Sequence, residues 1–115
     1  MAPPDVLYHG STVLVPVLEP ISGAVNASHD RWVAMPFALV FLPDDRGRCV
    51  WSLRGSRIVL QHGSLDPCGV GYLYRLAPDR FEQVNPMVWL CREPVTPLDY
   101  EVIRGADYVD WIGRG

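Results

Sequence analysis

The segment Gly71-Tyr72-Leu73-Tyr74-Arg75-Leu76 constrains the fold more than any other. It alternates at period two, with Tyr72, Tyr74 and Leu76 on one face, which suits a strand and not a helix. Elsewhere prolines and turn residues cut the chain into short pieces, so the strands must be short. They are expected at residues 6–9, 24–27, 49–53, 57–61, 70–76 and 87–91, with a longer last strand over 95–103 broken at Pro97. Residues 13–20 alternate poorly and carry Pro16 and Pro20, which predicts an extended, partly buried connection. Residues 43–48, 62–67 and 78–81 have the composition of turns and loops.

Two stretches are expected to be helical. Ser28 has the chemistry of an N-cap, and Asp30 would sit in the first turn, where a carboxylate favours the helix dipole. Trp32, Val33, Met35, Phe37 and Leu39 supply the apolar side, and Pro36 should kink or end the helix because it has no N–H to donate. Residues 106–112 predict a C-terminal helical turn with Tyr108, Val109, Trp111 and Ile112 as its apolar side. The expectation is a single α+β domain over residues 1–115. Two short antiparallel sheets, or one strongly bent one, would surround a cleft beside one central helix. At 115 residues, 49% of them hydrophobic, such a domain can bury a core without disulfide staples.

Composition removes several functions. All ten cations are arginine, so neither a lysine Schiff base nor a P-loop lysine is available. A net charge of −3 offers no basic field for non-specific nucleic-acid binding. Cys49, Cys68 and Cys91 have no C-x-x-C spacing, and His62 lies too loosely before Cys68 for a metal site, so no metal is expected. The first residues lack the features of a signal peptide, and no apolar run approaches the ~20 residues of a membrane span. A cytoplasmic protein with reduced thiols and no membrane partner is the expectation.

The candidate site begins at Tyr8-His9-Gly10-Ser11, where the first strand delivers an imidazole, a bare peptide and a hydroxyl to one place. Glycine lets a ligand approach the main chain, since no Cβ blocks its N–H and C=O. A strand ending in an ordinary turn would carry the same residue types. Trp32, Trp51, Trp89 and Trp111 could serve an interface, where Trp is a frequent hot spot, or pack in the core.

The order of these motifs resembles the ADP-ribosyltransferase fold, in the diphtheria-toxin and poly(ADP-ribose) polymerase branch. The likeness rests on Leu7-Tyr8-His9-Gly10-Ser11, then Val25-Asn26-Ala27-Ser28, then a helix ending in Ala34-Met35-Pro36-Phe37-Ala38. It extends to small bacterial and phage proteins with a Tyr-His-Gly-Ser first strand, a segment like Gly71-Tyr72-Leu73-Tyr74 and an ending like Pro94-Val95-Thr96-Pro97-Leu98. The resemblance implies NAD as cofactor. His9 would contact a ribose, Gly10 would hold the nicotinamide carboxamide through its backbone, and Ser11 would support the amide.

Asn26 stands where the family places a stacking aromatic, and an amide offers no ring face. Phe37 matches a second aromatic of the family, although core packing would explain it equally well. The family's late-strand Glu, which steadies the oxocarbenium-like centre, falls at about Val88. Val cannot stabilise positive charge; Glu82, Glu93 and Glu101 are the remaining carboxylates, with Glu101 the catalytic candidate beside His9. The implied function is a degenerate ADP-ribosyltransferase-like domain, such as a phage or mobile-element factor, that binds NAD, ADP-ribose or a host protein rather than catalysing efficiently. The alternative is an active NAD-dependent transferase or NAD glycohydrolase using His9, Gly10 and a non-standard Glu. RNA 2′-phosphotransferases share the fold, but Arg31, Arg54 and Arg75 have no supporting spacing.

Overall fold

The computed structural model describes residues 4–114. In chain order these form β1 (Leu7–Ser11), β2 (Val25–Ala27), α1 (Arg31–Ala34), a 3-10 turn (Met35–Ala38), β3 (Phe41–Leu42), β4 (Val50–Arg54) and β5 (Arg57–His62). There follow β6 (Ser64–Leu65), β7 (Val70–Leu76), β8 (Glu82–Asn85), β9 (Val88–Cys91), β10 (Asp99–Arg104), a second 3-10 turn (Gly105–Trp111) and β11 (Gly113–Arg114). The architecture is α+β, mostly strands in small sheets. The sheets are β1-β7-β10, β11-β5-β4, β2-β9-β8 and the pair β3-β6. All the pairings are antiparallel except β11 on β5.

The strand that sequence periodicity marks most clearly, β7, is the middle of the β1-β7-β10 sheet and is covered on both faces. Tyr74 and Leu76 point into a cluster with Leu7, Leu18, Val25, Ala27, Trp89, Cys91 and Val95, so β2 and β9 pack on that side. Leu73 points the other way, with Ile103, against Ala34, Met35, Ala38, Leu39 and Ile58. Tyr74 is fully buried, and its hydroxyl donates to the Val13 carbonyl at 2.7 Å and accepts from the Val15 N–H at 2.9 Å. Those bonds tie the extended connection to the sheet and satisfy a polar group that burial would otherwise penalise.

Several expectations need correction. Four small sheets replace the two short ones or the single bent one. Ser28 is not the N-cap: its N–H and C=O are engaged with Tyr8 in an extended bridge, so the helix cannot begin there. Asp30 caps instead, its carboxylate accepting the Trp32 N–H at 2.9 Å, and Ser28 Oγ in turn accepts the Asp30 N–H. The helix gives way to the 3-10 turn at Met35, beside Pro36, as the missing proline N–H requires. The loop expected over 62–67 contains β6, and β8 forms where no strand was expected. The last strand starts only at Asp99, while Val95 makes a separate bridge to Leu18. The C-terminal helical turn is of the 3-10 type. Trp89 is buried, and Trp32, Trp51 and Trp111 are half-buried. No helix among the described residues is long and apolar enough to cross a membrane.

Candidate functional site

The site arises where β1 parts from β2. Tyr8 and Ser28 exchange both backbone hydrogen bonds, at 2.7 and 2.9 Å. One residue further on, the His9 side chain takes over, with Nδ1 at 2.5 Å from the Asn26 carbonyl oxygen. A carbonyl can only accept, so Nδ1 carries the proton and Nε2 of the neutral ring is left as an acceptor. The ladder also orients Gly10. Since Tyr8 turns its N–H and C=O away from β7 toward Ser28, alternation turns those of Gly10 to the same outer edge.

That edge forms one wall of a pocket of about 260 Å³. Tyr8, His9 and Gly10 contribute from β1, and Asn26, Ala27 and Ser28 from β2 and its end. The helical segment adds Val33 and Ala34, with Phe37 one turn further on, and β9 closes the pocket with Val88. Gly10 is needed there for packing as well. A Cβ on it would lie 2.2 Å from the Ala34 carbonyl oxygen and 2.9 Å from the Ala38 nitrogen. Phe37 is 58% exposed, which removes the core-packing explanation, and it meets Trp51 edge-on with ring centroids 5.6 Å apart.

The pocket therefore gathers His9, Gly10, Asn26 and Phe37, while two other candidates lie elsewhere. Ser11 Oγ accepts the Val13 N–H at 3.1 Å and takes no part in the lining. Glu101 lies on β10, beyond β7 from β1, with its Oε2 2.9 Å from Arg31 Nη2. Glu93 pairs with Arg80 at 2.5 Å and Glu82 approaches Arg92 at 3.9 Å, both beside a separate polar hollow of about 230 Å³. No carboxylate lines the His9 pocket among the described residues. Val33, Ala34, Ser28 and Tyr8 were not singled out as lining residues. The spacing of Val33 and Ala34 one turn before Phe37 is a sequence signal for those two, and Ser28 and Tyr8 carry none. Among the described residues no group of three His, Cys, Asp or Glu is placed to hold a metal ion.

Burial pushes the His9 imidazole below its ordinary pKa, because the charged form is poorly solvated there, and the Asn26 carbonyl opposes this only in part. A depressed folded-state pKa means that the unfolded chain takes up the proton first as pH falls. Stability is accordingly expected to be at full strength above the unfolded value near 6.5. It should decline as pH drops from there toward the folded-state pKa. Thermal denaturation at stepped pH values between 7.5 and 5 checks this, with His9→Gln expected to flatten the decline. An equal slope in that variant would assign the effect to other groups.

Comparisons of the chain with protein-family models, with curated proteins and with solved structures find no match.

Proposed function

We propose that the His9 pocket is the nicotinamide end of an NAD site in an ADP-ribosyltransferase-like domain, which binds the dinucleotide or its ADP-ribose portion without turning it over efficiently. The observation that carries this is that His9 and Gly10 line one pocket, with no carboxylate in the lining among the described residues. A planar carboxamide needs one donor and one acceptor side by side, and the Gly10 peptide edge supplies both. His9 Nε2 adds an acceptor for a ribose hydroxyl. The apolar sides of Val33, Ala34, Phe37 and Val88 suit a flat ring.

Size decides how much of the ligand is enclosed. About 260 Å³ falls below the ~300–1,000 Å³ of typical small-molecule pockets, so one heterocycle fits and the remainder of a dinucleotide runs outside. Catalysis is a separate matter. Cleaving the glycosidic bond develops positive charge at the ribose, and a preorganised partner for such charge is worth ~10²–10³ in rate. Glu101 is the catalytic candidate of the sequence, yet it is engaged by Arg31 on a different strand from the pocket wall.

Thermal denaturation with NAD, nicotinamide and ADP-ribose tests the proposal, since ligand at 100 times its Kd stabilises by about 2.7 kcal/mol. NAD is expected to raise Tm in the native chain and not in His9→Ala, whereas nicotinamide, which has no ribose for His9 to hold, should raise it in both, with NAD consumption at background. No shift with any of the three would sink the nucleotide site. Rapid NAD cleavage abolished by His9→Ala would replace a binding domain with an active enzyme.

A further inference from the structure

We infer that two copies of this chain pair through the outer edges of β10, antiparallel about a two-fold axis at Val102. This is independent of the nucleotide reading. β10 is an outer strand of the β1-β7-β10 sheet, and no other strand pairs with its far side among the described residues.

Ladder parity identifies the groups left open. Tyr8 spends its N–H and C=O on Ser28, so Leu7, His9 and Ser11 serve β7, opposite Leu76, Tyr74 and Tyr72. That leaves Gly71, Leu73 and Arg75 for β10, in agreement with the Leu98 N–H donating to the Arg75 carbonyl at 2.8 Å. Opposite them stand Ile103, Glu101 and Asp99. Tyr100, Val102 and Arg104 therefore turn their backbone N–H and C=O outward.

Of the usual protections of a sheet edge β10 has charged side chains, Asp99, Glu101 and Arg104, and lacks lysine, proline and a covering strand among the described residues. Natural edges carry lysine or proline, or are covered by another segment. This chain has no lysine, and Pro97 precedes the strand rather than lying in it. Tyr100 and Val102 are 46% and 44% exposed on the same sheet face. The two acidic residues of the strand are already matched, Asp99 by Arg75 and Glu101 by Arg31. Arg104 is exposed and has no ion-pair partner among the described residues.

Charge then selects both the occupant and the register. Centring the two-fold on Glu101 would set like carboxylates directly opposite each other, which is unfavourable. Centring it on Val102 sets Val102 against its own copy and Tyr100 against Arg104 of the other copy. A guanidinium and an aromatic ring attract each other. In this register Tyr100, Val102 and Arg104 face their symmetry mates with backbone donors and acceptors in phase. The edge thus complements itself, and a second copy is the partner it fits.

The test uses sedimentation equilibrium of the full chain over a range of concentrations. The native chain is expected to pass from monomer to dimer as concentration rises. Val102→Glu and Val102→Lys should each remain monomeric, because each sets like charges across the axis. Their equimolar mixture should dimerise again, which only a residue facing its own copy allows. Hydrogen exchange in the unmodified chain gives a readout that needs no variant. The Tyr100, Val102 and Arg104 amides should slow as concentration rises. A native chain that stays monomeric at millimolar concentration overturns the inference, and so does an edge that takes only a strand of another protein. Dimers that survive Val102→Glu overturn it too, as does a mixture of the two charged variants that fails to associate.

Discussion

Replacing Gly71 with alanine is expected to destabilise this protein at or above the upper end of the ~1–3 kcal/mol usual for overpacking. A Cβ on Gly71 would lie 1.7 Å from the Ala38 carbonyl oxygen and 2.5 Å from its carbon, both backbone atoms that no rotamer change can move. Gly71 has no positive φ, so alanine suffers no backbone strain there and even gains about 0.5–1 kcal/mol from a less flexible unfolded chain. The clash outweighs that gain, because relief requires the whole 3-10 turn to lift off β7. Gly10→Ala acts in the same direction against Ala34 and Ala38, and lifting the turn there also opens the pocket. A domain of this size loses roughly 4 °C of Tm per kcal/mol, so Gly71→Ala should lower Tm by on the order of 10 °C. Gly113→Ala, whose Cβ would meet nothing closer than 3.5 Å, should stay within about 0.5 kcal/mol of the native chain. Equal melting curves for Gly71→Ala and Gly113→Ala would show that the helical segment does not rest on β7 as described.

Gly10 and Gly71 also mark where the sequence is legible and where it is not. The period-two pattern of β7 identified the central strand, because a strand buried on both sides still alternates between two kinds of neighbour. Nothing in a one-dimensional pattern reports that Gly10 and Gly71 carry the backbone of residues 34–38, since close approach depends on strands far apart in sequence. The cap moved from Ser28 to Asp30 for a similar reason. Ser28 has the right side chain, but a tertiary bridge to Tyr8 holds its backbone extended. β8 stayed hidden because Glu82, Gln83, Val84 and Asn85 are all exposed and show no apolar face to count. β3 and β6, of two residues each, are too short to carry a period.

The pocket was partly legible for chemical reasons. His9 and Gly10 are adjacent on one strand, so any wall built from β1 brings them together. Asn26 follows because its carbonyl holds the His9 ring, and Phe37 because it lies one turn beyond Val33 and Ala34. Ser11 is separated from them by strand alternation and by its bond to Val13. Glu101 could not be placed from sequence, since its position depends on β10 lying across β7 from β1, and its Arg31 partner is 70 residues away in the chain. Val88, which the resemblance set at the place of a missing glutamate, does line the pocket with His9.

Val88→Glu is therefore expected to have the largest effect on function. Val88 opens β9 opposite Asn85, and its N–H donates to Asn85 Oδ1 at 2.9 Å, so the side chain leaves a fixed backbone. Val88 is half-buried and borders the open pocket, so a carboxylate there is neither sealed away from water nor fully screened. If the pocket seats the nicotinamide end of NAD, this substitution supplies the charge that the developing oxocarbenium lacks, and NAD cleavage should rise by about 10²–10³ over the native chain. Val88→Gln has nearly the same size and no charge, and it should stay at the native rate; adding His9→Ala to Val88→Glu should return the rate to background. The substitution has a second consequence that does not depend on turnover. A carboxylate facing His9 favours the imidazolium and raises its pKa, so the loss of stability below pH 6.5 should shrink in Val88→Glu. A shrunken pH slope with no gain in NAD cleavage would place the carboxylate beside His9 and still refute the proposed NAD geometry. An unchanged slope would mean that Val88 does not face His9 across the pocket.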